Sequence, residues 1–340
     1  MKYTIRVLII IYFFISFFFE PLLSHAQVNK IRAFHIPLVG VTHKDFIISL
    51  INKIEGNFNM LIIQINNKLQ YDSYNEISSS EGESFNPIRY ASPPLSKKDM
   101  IEIVEYAKEK GISVVPEVKL FSHQEHFFRK SHPELMFNEV TYNPRYTEVY
   151  KYVFSIIDEI IQIFRPDYFH IGHDEVREFR RTHPNNASRI PPYQDFAYDI
   201  NTIANYLNKK DIKTMIWGDM LLNPEHFDVK IKNSLHGDTR DYYKAIKLID
   251  KNVIIIDWHY RWAEDKFPTF DYFVKNGFKV LGSTWKDKIT IDNFSTYVCS
   301  YRSENALGMV ATTWFHIHKK DLDIINEIIN NSAKAFNKCK

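Results

Sequence analysis

Tyr168-Phe169-His170-Ile171-Gly172-His173-Asp174-Glu175-Val176 is an apolar run that breaks at a glycine and then presents two adjacent carboxylates. Tyr168 to Ile171 reads as a short buried strand. A buried strand has no reason to end on two charges unless something there uses them. A solvated loop or a helix N-terminus, where acidic residues are common, accounts for the doublet equally well on its own. The sequence on either side has to decide.

Upstream, strand-like and helix-like stretches alternate. Ile31 to Leu38 suits a strand, and Lys44 to Glu55 has helical spacing at Phe46, Ile47, Leu50, Ile51 and Ile54. Met60 to Ile65 is a continuous apolar run, as expected of a strand buried on both faces. After a polar, Ser-rich loop over 73–94, Ser96 with Asp99 caps a helix that runs to Lys110 and stops at Gly111. Ile112 to Val118 predicts the third strand, followed by a loop carrying Glu117, Lys119, His123 and His126. Thr147 to Phe164 is a long amphipathic helix ended by Pro166. Downstream, 177–189 reads as a loop rich in Arg and Asn, and Tyr193 to Lys210 as a helix. Strands are expected at Thr214–Trp217, Val253–Ile256, Lys279–Ser283 and Met309–Thr312, and helices at Tyr242–Asp250, Phe270–Asn276, Phe294–Ser303 and Asp321–Phe336. Eight alternating units imply parallel strands with helical crossovers, and over this length an α/β fold of the (β/α)8 TIM-barrel type as a single catalytic domain. No Gly-x-Gly-x-x-Gly follows the first strand, so a dinucleotide fold loses its main support.

The 340 residues are 45% apolar and 25% charged, with a net charge of +2 and no basic cluster, which argues against nucleic acid as a partner. Lys2 and Arg6, the apolar run Val7–Phe19 and Ser24-His25-Ala26 before Gln27 predict a secretory signal peptide over 1–26. The run is short for an uncleaved membrane anchor. The expectation is an exported, periplasmic or secreted protein with no stable span after cleavage and the barrel over 27–340. Cys299 and Cys339 either pair or stay as free thiols; the sequence leaves both open.

In a (β/α)8 barrel the C-terminal strand ends share one face, where active sites sit. The residues expected there are His35, Gln64, Glu117, His123, His170, His173, Asp174, Glu175, Trp217, Asp219, Asp257, Trp258, Tyr260, Trp285 and Trp314. One Trp at such a position is ordinary core packing. Four of the chain's five at the ends of strands five to eight, beside clustered carboxylates, suit a pocket that stacks on sugar rings. His25, His183 and His318 read as structural. The spacing of His123, His126, His170 and His173 matches no zinc pattern, so no metal is expected.

Phe169 to Val176 resembles the His-x-Gly-x-Asp-Glu motif of glycoside hydrolase family 20, the β-N-acetylhexosaminidases. Gly111-Ile112-Ser113-Val114-Val115-Pro116-Glu117-Val118 with Ser122-His123 is similar to that family's strand-three motif, and Trp217-Gly218-Asp219-Met220 resembles the Trp-Asp-Asp-Met of its hexosaminidase D-like branch. The resemblance implies removal of terminal β-linked N-acetylhexosamine, GlcNAc or GalNAc, from a glycan or glycoconjugate, without a cofactor. It implies substrate-assisted retention, in which the 2-acetamido oxygen of the sugar attacks C1. Glu175 would be the acid and then the base, and Asp174 would orient the acetamido N–H. His123 and His170 would hold the site, Tyr260 would donate to the acetamido oxygen, and Asp219 and Asp257 would meet sugar hydroxyls. The chain departs from the family pattern at several places. His173 stands for a common Gly, Arg32 is followed by no second Arg, and Gln64, Asn66 and Asn67 occupy a strand end that is often acidic. Lys119 and Phe121 replace an Asp and a Pro. Two alternatives follow from these departures: a conventional retaining glycosidase for sugars lacking the acetamido group, with Asp257 or Glu117 as nucleophile, and an inactive carbohydrate-binding barrel.

Overall fold

The computed structural model describes residues 30–38, 43–79, 92–176, 191–227, 241–314 and 321–339. The signal segment 1–26, the stretch 177–189, His183 and His318 lie outside the described residues.

Eight parallel strands pair in chain order and close on themselves: β1 (Ile31–Pro37), β2 (Met60–Gln64), β3 (Ser113–Leu120), β4 (Tyr168–Gly172), β5 (Lys213–Trp217), β6 (Ile254–Trp258), β7 (Lys279–Thr284) and β8 (Ala306–Thr312). Around them lie α1 (Lys44–Ile54), α2 (Lys97–Glu109), α3 (Thr147–Phe164), α4 (Tyr193–Asn208), α5 (Pro268–Lys275), α6 (Lys288–Ser300) and α7 (Leu322–Phe336). The (β/α)8 barrel expected from the alternation is the fold. Between β5 and β6 the described segment holds a 3-10 helix, Tyr242–Lys247, in place of the longer helix expected at Tyr242–Asp250.

The two-residue period of a strand divides its side chains between two cores. Ala33, Met60, Ile62, Val115, Met215, Ile254, Ile256, Leu281 and Val310 fill the barrel interior. The intervening residues face the helices, where Val149, Val153, Ile156, Ile157, Ile160 and Phe164 of α3 are buried among them. Each such side chain withdrawn from water contributes roughly 1.5–3 kcal/mol before the entropy of ordering is counted.

Capping chemistry sets two helix starts. Ser96 accepts from the Asp99 N–H at 3.0 Å, as its spacing predicts. Asp287 accepts from the Thr290 N–H at 2.8 Å, so α6 begins six residues before the expected Phe294. Cys299 of α6 and Cys339, just beyond α7, form a disulfide that ties the last two helices together.

Backbone strain gathers at the C-terminal face. Among the described residues, Asn66, Phe121, His123, His173, Glu175 and Trp314 have positive φ and stand just beyond the ends of β2, β3, β4 and β8. Such conformations persist in non-glycine residues only where the surroundings over-determine them, as at functional sites. Gly172 is required for a different reason. Its φ is +75°, and a Cβ there would lie 2.9 Å from the Lys119 Cα, so only glycine lets β4 close against β3.

Candidate active site

The pleat ends at Gly172. With Gly172, His173 and Glu175 all left-handed, successive side chains no longer alternate across the sheet. His173 turns outward into the helix layer, while Asp174 and Glu175 both stay at the mouth. His123 lies 3.5 Å from Asp174 Oδ2 and 3.9 Å from Glu175 Oε2. The adjacency that looked odd in the sequence is how one turn delivers two carboxylates to one place.

Asp174 is buried and held on several sides. The Lys119 ammonium donates to its Oδ2 at 2.5 Å, and Ser122 Oγ donates to its backbone carbonyl at 2.6 Å. Oδ1 is buried with no hydrogen-bond partner. Burial alone would push this carboxyl up; the charges of Lys119 and His123 overcome it and hold it well below the usual carboxylate range. Asp174 is therefore an ionised acceptor with one buried oxygen unpaired. The Glu175 backbone N–H donates to Asp219 Oδ2 at 2.8 Å, and the Glu175 side chain retains a quarter of its exposure at the mouth.

Beneath this pair, β1, β3, β4 and β5 meet in a polar floor. His35 Nε2 and Glu117 Oε2 are 2.7 Å apart, and the Trp217 indole N–H donates to Glu117 Oε1 at 3.2 Å. His170 Nδ1 accepts from the Gly172 N–H at 3.0 Å and lies 3.9 Å from Glu117 Oε1. Burial would raise the Glu117 carboxyl, but His170, His35 and Lys119 bring it down to about 2. Burial lowers the His170 imidazole to about 4 against the partial opposition of Glu117. The floor holds a carboxylate beside a neutral imidazole.

The walls are aromatic. Trp258 stacks on Tyr260 with centroids 4.7 Å apart, and Tyr260 meets the edges of Trp285 and Trp314 at 5.9 and 6.2 Å. Trp217 and Trp314 lie 5.5 Å apart across the centre. Gln64 Oε1 and His170 Nε2 join Asp174 Oδ1 as buried polar atoms without hydrogen-bond partners, while the Tyr260 hydroxyl interacts with Trp314 and Thr312. Burial also pushes the Tyr260 phenol well above its usual range, so it stays a donor. Buried polar atoms are ordinarily paired. Three unpaired ones, both donor and acceptor, beside aromatic rings suit a ring-shaped ligand that carries both donors and acceptors.

Three expected site residues have other roles. Both ring nitrogens of His173 are engaged, Nδ1 with the Ile171 carbonyl at 2.9 Å and Nε2 with Asp199 Oδ2 at 2.8 Å. Asp199 also accepts from the hydroxyls of Tyr142 and Tyr150. His173 is thus part of a buried network behind the sheet and does not line the pocket. Asp257 alternates with the inward Ile256 and Trp258, so it faces α5 and accepts from Thr269 Oγ1 at 2.7 Å. It is reassigned from the mouth to the helix layer, and its expected roles toward sugar hydroxyls or as a nucleophile go with it. Asp219 is fully buried; its oxygens meet the Glu175 N–H and, at 3.4 Å, the Trp258 indole N–H. Burial, reinforced by the charge of Asp174, pushes its carboxyl well above the usual range. It shapes the site and does not face a sugar hydroxyl.

Lys119 is a site residue that the sequence reading does not single out, because a strand ending at Val118 places it in a loop. The strand in fact runs to Leu120, so Lys119 follows Val115 and Glu117 onto the inner face. An unbroken alternation through Leu120 was the available signal.

Residues 63–314 match the family described as glycosyl hydrolase family 20, catalytic domain. The chain belongs to that family. It is 27% identical over 205 residues to β-hexosaminidase subunit A2 of Dictyostelium discoideum, covering 50% of this chain and 36% of that protein. To subunit A1 of the same organism it is 26% identical over 253 residues, 66% of this chain and 43% of that one. The chain thus spans less than half the length of these curated relatives. The solved structure of a β-N-acetylhexosaminidase from Bacteroides fragilis superimposes with a TM-score of 0.68 at 18% identity, covering 91% of this chain and 66% of the other. The family 20 exo-β-N-acetylglucosaminidase of Vibrio harveyi, in complex with N-acetylglucosamine, gives 0.65 at 15% identity, covering 91% and 54%. At these identities the structural likeness speaks for the barrel alone.

Proposed function

We propose that this chain is an exported glycoside hydrolase that removes terminal β-linked N-acetylhexosamine from glycans by substrate-assisted retention. The observation that carries the reading is Asp174. It is a buried, ionised carboxylate whose Oδ1 has no hydrogen-bond partner, next to a partly exposed Glu175.

Retention with help from the substrate needs three things of a protein. One is an anionic acceptor for the acetamido N–H, which aligns the acetamido oxygen with C1 and stabilises the cation that forms. Asp174 Oδ1 is that acceptor. The second is an acid in reach of the leaving oxygen, which later takes a proton from water; Glu175 fills this role. The third is a closed pocket for the acetamido group. Trp217, Trp258 and Trp314 supply apolar surface, and the Tyr260 hydroxyl supplies a donor to the acetamido oxygen. His123, within 4.0 Å of both carboxylates, holds their spacing. A protein nucleophile is not part of the scheme. Glu117 is tied to His35 and Trp217, and Asp257 faces the helices.

Residues 1–26 are proposed as a removable signal and 27–340 as one domain. The disulfide suits an oxidising compartment. No helix among the described residues is long and apolar enough to cross a membrane.

The test is hydrolysis of chromogenic β-GlcNAc and β-GalNAc glycosides beside β-glucoside and β-galactoside. Release from acetamido sugars only, inhibition by an acetamido-derived thiazoline, and loss in Glu175→Gln and Asp174→Asn are expected. Release of glucose or galactose with insensitivity to the thiazoline would refute the mechanism. Full activity in Glu175→Gln would refute the acid assignment.

A further inference from the structure

We propose that Lys119 is a positioning residue that presents Asp174 to the substrate through one oxygen only and keeps that oxygen an acceptor. The geometry stands by itself; its catalytic consequence rests on the substrate-assisted reading above.

Lys119 is anchored at both ends. Its backbone N–H donates to Asn66 Oδ1 at 3.0 Å, and its carbonyl accepts from Gln124 Nε2 at 2.8 Å. Its ammonium is buried, lies 5.3 Å from the Trp314 ring, and donates to Asp174 Oδ2 at 2.5 Å. Lys119 and His123 both lie on Oδ2, so the buried Oδ1 is the oxygen left without a partner for a secondary amide N–H, which has to displace the side chains that cover it.

The surroundings of Asp174 explain why a cation is needed there. Glu117 and Lys119 face it from β3, His123 from the turn after β3, His170 and Glu175 from β4 and its end, Asp219 from beyond β5, and Tyr260 from beyond β6. Three of these are carboxyls, and His170 is held neutral. Without Lys119, a buried Asp174 would face them with His123 alone in support. Burial would then favour the protonated acid, and a protonated Asp174 donates where it should accept. The ammonium also offsets part of the negative field Asp174 offers to a developing cation. Its gain is therefore in ionisation and direction, not in field strength.

The test uses the full chain with aspartate labelled with carbon-13 at the side-chain carboxyl. The Asp174 signal is identified by its loss in Asp174→Asn. In the unsubstituted protein this signal should stay at its ionised position down to the acid limit of folding. In Lys119→Met and Lys119→Gln it should titrate at least about one pH unit higher, tenfold in proton affinity. Lys119→Arg should restore the original behaviour. Identical titration in the Met and Gln variants would overturn the assignment. In parallel, the acid limb of kcat/KM on an acetamido glycoside should rise with the carbon signal, a change that mere loss of packing would not produce. If the carbon signal moves but the unsubstituted protein hydrolyses no acetamido sugar, the functional reading fails and Lys119 keeps its role. If hydrolysis is present and neither titration nor acid limb moves, the reverse holds.

Discussion

His170 makes the pH dependence of this fold calculable. Its imidazole is fully buried against the Trp217 ring, and Nδ1 must be unprotonated to accept from the Gly172 N–H. Burial holds the group at about 4 against an ordinary 6.5, although Glu117 pulls the other way. A folded-state value below the unfolded one means that the unfolded chain binds the extra proton first. The contribution is therefore fully present above pH 6.5 and is lost as pH falls toward 4. At about 1.4 kcal/mol per pH unit, the loss is about 3 kcal/mol. Urea unfolding at pH 7, 6, 5 and 4 should show this decline in the unsubstituted protein. His170→Gln, which keeps an amide acceptor for Gly172, should be less stable at pH 7 and should lack that part of the slope. The difference between the two curves should shrink by about 3 kcal/mol from pH 7 to pH 4. Parallel curves would refute the reasoning and mean that His170 is reached by water or is protonated in the fold. In the folded protein the imidazole gains its proton only near pH 4, so loss of the acceptor beneath the Asp174 and Glu175 turn should lower activity only as pH falls to about 4 and below.

Asp219→Ala removes the acceptor for the Glu175 N–H and should lower kcat on an acetamido glycoside by about 10- to 100-fold, with KM nearly unchanged, through misplacement of the acid. Equal loss in kcat and binding would point to direct substrate contact instead. Gly172→Ala forces a Cβ toward the Lys119 backbone at a left-handed φ and should cost about 1–3 kcal/mol in urea unfolding. A neutral result would mean that the β3–β4 approach is looser than described. Cys299→Ser opens a loop of 40 residues and should cost about 3–4 kcal/mol in unfolding free energy on the chain-entropy account. Thermal denaturation with and without reductant should reproduce it, and an unchanged midpoint would show that the bond is not closed in solution.

Period and composition were enough for the architecture. Apolar runs such as Met60–Ile65, separated by amphipathic helices such as Thr147–Phe164, are local signals, and these two stand in the fold nearly to the residue. The same logic made the Asp174 and Glu175 doublet stand out. Two charges directly after a buried strand conflict with local economy, and such conflicts collect at functional sites. What only the tertiary structure decided was direction. A side chain at a strand end faces the pocket or the helices according to one residue of register. Asp257 and Lys119 both stand at strand ends, yet Asp257 faces α5 and Lys119 faces Asp174. His173 leaves the mouth because Gly172 and His173 turn left-handed together, a consequence of β4 packing against the Lys119 backbone. The ionisation states of Glu117, His170, Asp174 and Asp219 were likewise invisible in the chain. Each depends on burial and on charges brought from other strands, and those meet only when the barrel closes.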